Sequence, residues 1–168
     1  AYNEYLPPAD RVDTASWIKD FPNLVVCRTL SKIYGLAGLR IGYALASAEL
    51  ADLMNRVRQP FNVNNLALAG ALAALDDEEF LQASYELNRR GMAQIVAGIE
   101  RLGLDYIKPH GNFVTFKVGD GAAVNQKLLQ QGVIVRPIGG YGLPEWLRVT
   151  IGAEPENARF LEALERAL

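Results

Sequence analysis

The sequence predicts an α/β fold in two lobes. Three observations carry that reading. Short apolar runs bounded by Pro, Gly or polar residues alternate with stretches of helical periodicity through the first part of the chain. A long amphipathic helical stretch then follows, opened by Asp76-Asp77-Glu78-Glu79. The last third changes rhythm to a smaller strand–helix–strand–strand–helix pattern. The 168 residues are half hydrophobic and 21% charged, with a formal net charge of -2. That is a globular composition, long enough for one ordinary domain or two small lobes sharing a boundary.

Taken in order, residues 1 to 22 are loop-rich, with Pro7-Pro8 and Pro22 framing a short helix predicted from about Thr14 to Lys19. Asn23 to Arg28 is a short apolar run that suits a strand buried on both faces, as in a parallel sheet. Cys27 is expected to be buried there and inert. Leu39 to Ala46 is a second strand, punctuated by Gly38 and Gly42. Ser47 caps an amphipathic helix that ends before Pro60, and Asn64-Asn65 cap a small-residue apolar helix to about Leu75. The acidic turn 76–79 opens a helix with Phe80, Leu87, Ile95, Ile99 and Leu102 on one face, stopped by Gly103.

Beyond it, Val114, Phe116 and Val118 alternate with Thr115 and Lys117, a strand with one wet face. A helix from about Ala122 to Gln131 precedes two strands, 132–136 and 146–151, joined by a Gly-rich loop at 139–144. Pro155 starts a final helix with Phe160, Leu161, Leu164 and Leu168 on one face. The expected division is 1–75 for the end of a larger lobe and 76–168 for the long helix and a smaller lobe.

Composition also excludes classes of function. The near-neutral charge, with no basic block longer than Arg89-Arg90, argues against a nucleic-acid partner. The longest apolar stretches, such as Leu66 to Leu75, are too short and too rich in small residues to span a bilayer. The one cysteine, Cys27, excludes an internal disulfide and fits a reducing, cytoplasmic setting. His110 is the one histidine and has no Cys or carboxylate cluster at metal-ligand spacing, so no metal is expected. Neither a signal segment nor a methionine opens the chain, and Ala1-Tyr2-Asn3-Glu4-Tyr5 reads as an entry into the middle of something longer.

The stretch from Thr29 to Arg40 carries the chemistry. Lys32 follows the first strand after a short connector, with hydroxyls at Thr29 and Ser31 and an arginine eight residues further on. Hydroxyls, backbone N–H groups and a guanidinium make a phosphate cup, and strand ends in open α/β sheets are where ligands bind. A lysine beside such a cup can hold an aldehyde as a Schiff base once its amine is deprotonated. The alternative on the residues alone is a solvated loop lysine and a surface arginine.

Arg28-Thr29-Leu30-Ser31-Lys32-Ile33-Tyr34-Gly35-Leu36-Ala37-Gly38-Leu39-Arg40-Ile41-Gly42-Tyr43 closely resembles the lysine motif of fold-type I pyridoxal-phosphate aminotransferases. Pro60-Phe61-Asn62-Val63-Asn64 and the tail from Val135-Arg136 through Leu147-Arg148 to Gly152 are similar to the histidinol-phosphate branch of that family. The resemblance runs over nearly all of the chain. It implies the C-terminal part of a PLP-dependent transferase fold, namely the end of the large parallel-sheet domain plus the small α/β domain.

The resemblance further implies that Lys32 carries pyridoxal 5'-phosphate as a Schiff base and acts as base and acid in the proton shift. Thr29, Ser31 and Arg40 would bind the cofactor phosphate, and Tyr2 would donate to the pyridine 3-oxygen. Arg148 would bind the substrate carboxylate. Arg136, twelve residues earlier, is the candidate second anion contact, with a strand-capping or surface-paired arginine as the alternative. Asn112 resembles a position near the site, or is simply a turn residue before a strand.

The implied reaction is amino transfer between histidinol phosphate and 2-oxoglutarate, on small amino and 2-oxo acid substrates, in a homodimer. Alternatives are an aromatic aminotransferase or threonine-phosphate decarboxylase of the same fold, or a non-catalytic binding module. The front departs from the family pattern. Its Asp-x-Ala-Tyr motif would begin two residues before Ala1, and its Gly-rich phosphate loop lies further upstream. The chain is therefore expected to be the C-terminal half of a longer enzyme, and to be inactive if it stands alone.

Overall fold

Where the sequence sets caps and breakers, the backbone turns as they direct. A computed structural model describes all 168 residues. The chain divides into two compact units, Ala1–Ser84 and Tyr85–Leu168.

The first unit opens with three short 3-10 turns, at Asn3–Tyr5, Pro8–Asp10 and Ser16–Lys19. Strand β1 (Val26–Thr29) pairs antiparallel with β2 (Gly42–Leu45), with Val26 opposite Leu45 and Thr29 opposite Gly42. A Cβ on Gly42 would lie 2.5 Å from the Arg28 carbonyl oxygen, so glycine is what lets the two strands close at the loop mouth. Helix α1 (Ala48–Val57) starts on the Ser47 hydroxyl, which accepts from the Leu50 N–H at 3.4 Å. Helix α2 (Asn65–Leu75) starts on the Asn64 side chain, which accepts from the Ala67 N–H at 2.8 Å. Leu30, Ile41, Ala67 and Ala71 form this unit's buried cluster.

The expected burial of β1 on both faces is not found. Its residues are half-buried or exposed, and β2 is exposed throughout. The two strands form an antiparallel ribbon of their own instead of the interior of a parallel sheet, and neither face is fully covered. Cys27 is exposed, which corrects its expected burial.

Helix α3 (Glu78–Arg101) runs through the division between the units and ends in a Schellman turn. There the Gly103 N–H reaches the Glu100 carbonyl and the Leu104 N–H the Ile99 carbonyl, with Gly103 at φ +69°. In the second unit, β3 (Tyr106–Ile107), β4 (Phe113–Lys117), β5 (Arg136–Pro137) and β6 (Trp146–Thr150) form an antiparallel sheet in the order β3-β4-β6-β5. Helices α4 (Gly121–Gln130) and α5 (Glu154–Ala167) complete the unit. Val114, Phe116, Leu147 and Val149 point from the sheet into a core with Ile95 and Ile99 of α3, Leu128 of α4 and Leu164 of α5. Phe116 and Phe160 meet edge to face at 5.7 Å.

Three details differ from the sequence reading. The run 132–136 is strand only from Arg136, since pairing with β6 begins there, and Pro137 is tolerated because β5 is an edge strand. On α3, Phe80 and Leu87 are exposed, and Gly91 and Gly98 are buried in their place. A Cβ on Gly91 would lie 2.6 Å from Ile151 Cγ2, and one on Gly98 would overlap the Leu161 side chain, so close backbone approach forms this contact. On α5, Leu168 is exposed while Asn157 is buried. No helix is long and apolar enough to cross a membrane.

Candidate functional site

The connector between β1 and β2 is a closed loop built on apolar anchors. The Leu30 N–H donates to the Ile41 carbonyl at 3.2 Å, extending the β1–β2 pairing by one step, and the Leu36 N–H returns to the Leu30 carbonyl at 3.0 Å. Leu30, Ile33 and Ile41 are buried at 1%, 3% and 7% exposure. Between these anchors Lys32 is exposed, in a turn where the Gly35 N–H donates to the Lys32 carbonyl at 2.9 Å. Burial of two neighbours thus fixes the backbone while the lysine stays in solvent.

Ser31 follows Leu30 and Arg40 precedes Ile41, so the two residues flank the backbone pair that closes the loop mouth. The Thr29 hydroxyl oxygen accepts from the Ser31 N–H at 3.1 Å, and the Ser31 hydroxyl has no partner in the chain. Arg40 adopts φ +54°, and its Nη1 donates to the Ala37 carbonyl at 2.8 Å, leaving Nη2 and Nε unspent. No acid pairs with Lys32. Its Nζ sits 5.9 Å from the centroid of the Tyr2 ring. The segment bearing Tyr2 is tied to β1 by Arg28, which meets Glu4 at 3.4 Å and donates to the Thr14 hydroxyl at 3.2 Å.

The first unit therefore gathers five sequence-predicted residues around one loop: Tyr2, Thr29, Ser31, Lys32 and Arg40. Tyr34 on the same loop packs against the buried cluster. Burial, then the Glu4 carboxylate, push its phenol above the ordinary value, so it stays protonated through neutral pH.

The second unit carries the predicted arginines on the sheet face turned away from the core. Arg136 on β5 stands directly opposite Arg148 on β6, and Arg148 in turn stands opposite Thr115 on β4. Neither guanidinium has an ion pair or hydrogen bond within the chain. Like charges directly opposite on neighbouring strands are destabilising, so this pairing is unfavourable by itself. Arg148 instead lies over the Phe113 ring, 4.7 Å from its centroid.

Phe113 is the residue that sequence reasoning passed over, although it adjoins the flagged Asn112. Asn112 is half-buried, and its carbonyl accepts from the Ile151 N–H at 2.8 Å, which closes the turn after β6. Tyr141 and His110 are exposed. No group of three or more His, Cys, Asp or Glu side chains is placed to hold a metal ion.

The chain is similar to known proteins along its whole length. The family model described as aminotransferase class I and II matches residues 1–166. The chain is 80% identical over its full length to histidinol-phosphate aminotransferase 1 of Dechloromonas aromatica, covering 46% of that protein. It is 61% identical to histidinol-phosphate aminotransferase 1 of Cupriavidus pinatubonensis, again covering 46% of it. The crystal structure of histidinol-phosphate aminotransferase from Sinorhizobium meliloti, in complex with pyridoxal-5'-phosphate, superposes with a TM-score of 0.91 at 29% identity, over 99% of this chain and 47% of that one. The chain thus spans about half the length of the curated relatives it matches.

Proposed function

The chain belongs to the class I and II aminotransferases, and from that premise we propose that it forms part of a pyridoxal-phosphate enzyme of histidine biosynthesis. The reaction is amino transfer between histidinol phosphate and 2-oxoglutarate. The observation that carries the substrate assignment is the arginine pair. Arg136 and Arg148 are cross-strand neighbours with no acid between them, a surface suited to a phosphate in one half-reaction and a carboxylate in the other. The 80% identity to a histidinol-phosphate aminotransferase supports it independently.

The residues of the first unit fit the cofactor. An unpaired lysine amine, two hydroxyls and a guanidinium with unspent N–H groups suit a phosphate ester that bears an aldehyde. Ser31, Thr29 and Arg40 would bind the phosphate, Lys32 the aldehyde carbon, and Tyr2 would donate from its hydroxyl to the ring oxygen. When bound, pyridoxal phosphate supplies an electron-accepting ring beside the substrate α-carbon. Lys32 would serve as the base and acid for the proton shift that begins at that carbon. Its four-carbon stem gives the reach. Arg148 and Arg136 would hold the anionic end of the substrate and fix its orientation.

In this reading residues 1–75 are the end of the cofactor domain and 76–168 the long helix and small domain. The full-length enzyme is a cytoplasmic homodimer, which light scattering checks. The main experiment is borohydride reduction of the full-length protein with pyridoxal phosphate, followed by peptide mass analysis. An adduct on Lys32 is expected, and its absence sinks the reading. Lys32→Ala lowers turnover by at least about a thousandfold. Arg136→Ala and Arg148→Ala each raise KM for histidinol phosphate by roughly ten- to a hundredfold. If neither does, the anion site is elsewhere.

A further inference from the structure

A guanidinium that must bind a substrate anion has two ways to be held still. A neighbouring carboxylate orders it but spends its N–H donors and competes with the substrate. An aromatic face orders it through the ring quadrupole and leaves the donors, which lie in the guanidinium plane, pointing outward. Arg148 uses the second way. It is half-buried, has no acid partner, and stands 4.7 Å above the Phe113 ring, within cation–π range.

Phe113 is itself held from three directions. Its backbone pairs opposite Thr150 at the end of the β4–β6 ladder. The Ile151 N–H donates to the carbonyl of Asn112 at 2.8 Å. The side chain of Asn88, on α3 and only 4% exposed, donates to the Gly111 carbonyl at 3.1 Å. A buried amide fixed to the residue two before Phe113 holds the backbone from which that ring projects toward the arginine.

We propose that Phe113 is a positioning residue for substrate binding: its ring presets the Arg148 guanidinium to receive the phosphate or carboxylate of either substrate. This rests on the reading of Arg148 as an anion-binding residue. Without the ring, the long arginine side chain samples several rotamers, and each substrate must order it on binding. Both half-reactions use the same guanidinium, so both substrates are affected alike, and the bond-making steps at Lys32 are not.

The test is steady-state kinetics of the full-length enzyme carrying Phe113→Leu, Phe113→Met or Phe113→Tyr, with Arg148→Ala alongside. The two non-aromatic variants are expected to raise KM for histidinol phosphate and for 2-oxoglutarate by about three- to tenfold each, with kcat nearly unchanged. Phe113→Tyr, which keeps the π face, restores both values. If Arg148→Ala raises KM while Phe113→Leu and Phe113→Met do not, the inference is wrong and the reading of Arg148 survives. If Arg148→Ala leaves KM unchanged, the reading of Arg148 itself fails. A fall in kcat that Phe113→Tyr does not rescue means a plain structural role and also overturns the proposal.

Discussion

The two units rest on two kinds of support. The arginines of the second unit stand on a sheet whose other face belongs to a core of fifteen buried apolar residues, drawn from α3, α4, α5, the strands and the residues flanking them. The lysine loop of the first unit stands on a buried cluster of four, with Ile33 as a further local plug. Helix α2 is apolar all round, a pattern typical of fully buried helices, yet Leu66, Leu68, Leu72 and Leu75 are exposed. Between it and β2 lies an apolar cleft of about 390 Å³ lined by Leu30, Ile41, Tyr43, Leu68, Leu72 and Leu75. The second unit is thus held by its own core. The first holds its Lys32 loop by local anchors and leaves a large apolar surface exposed.

The largest effect that would break this contrast concerns cooperativity. Residues 76–168 expressed alone are expected to unfold in one sigmoidal urea transition. Residues 1–75 alone should show no sharp transition and should bind a hydrophobic dye. A sharp transition from 1–75 refutes the contrast. Next in size are core truncations in the 168-residue chain. Phe116→Ala, at a position fully buried and edge to face with Phe160, should cost the second unit about 3–5 kcal/mol. Leu30→Ala should cost at most about 2–3 kcal/mol in the first unit, because its surroundings are open enough to collapse onto the gap. Chemical denaturation followed by hydrogen exchange separates the two.

Much of this contrast could be read in the sequence, and the parts that could not have physical reasons. The alternation of Val114, Phe116 and Val118 located β4, and Ser47 and Asn64 located two helix starts, because these signals act within one element. The small-residue character of α2 was legible, but its exposure was not, since burial depends on which other layers are present. Strand β3 is two residues long and exists only through its pairing with β4, so it has no pattern of its own. Gly91 and Gly98 read as gaps in the apolar face of α3, whereas the structure uses them as its closest contacts. In the site, the motif around Lys32 was legible because it is contiguous. Phe113 was not, because its relation to Arg148 is set by the β4–β6 register, with α4 and β5 intervening in sequence.

Gly91→Ala tests the glycine contact. Its Cβ would meet Ile151 Cγ2 at 2.6 Å and Asn157 Nδ2 at 2.8 Å, and Asn157 already holds the Gly152 peptide by accepting from its N–H at 2.9 Å and donating to its carbonyl at 3.0 Å. Overpacking there should cost about 1–3 kcal/mol. A loss well below this range would mean that α3 and the turn after β6 separate easily, which sharpens the limit on how firmly the second unit is closed.

The smallest expected effect discriminates most finely, because it applies one chemical change to both units. Asn64 caps α2 by accepting from Ala67 N–H at 2.8 Å, and Asp120 caps α4 by accepting from Ala123 N–H at 3.0 Å. Replacing either by alanine removes one acceptor and should cost about 1 kcal/mol. The cost should be expressed differently. Helix α4 is anchored by Val124 and Leu128 in the core and by Lys127, whose ammonium donates to the Ala167 carbonyl at 2.8 Å. Asp120→Ala should therefore lower protection across the whole second unit together, as a cooperative core requires. Helix α2 is held on one side only, so Asn64→Ala should speed exchange in the first turn of α2 and leave the amides of β1 and β2 almost unchanged. Equal spreading of the two losses in amide hydrogen exchange would mean that the first unit is as cooperative as the second, despite its open apolar face.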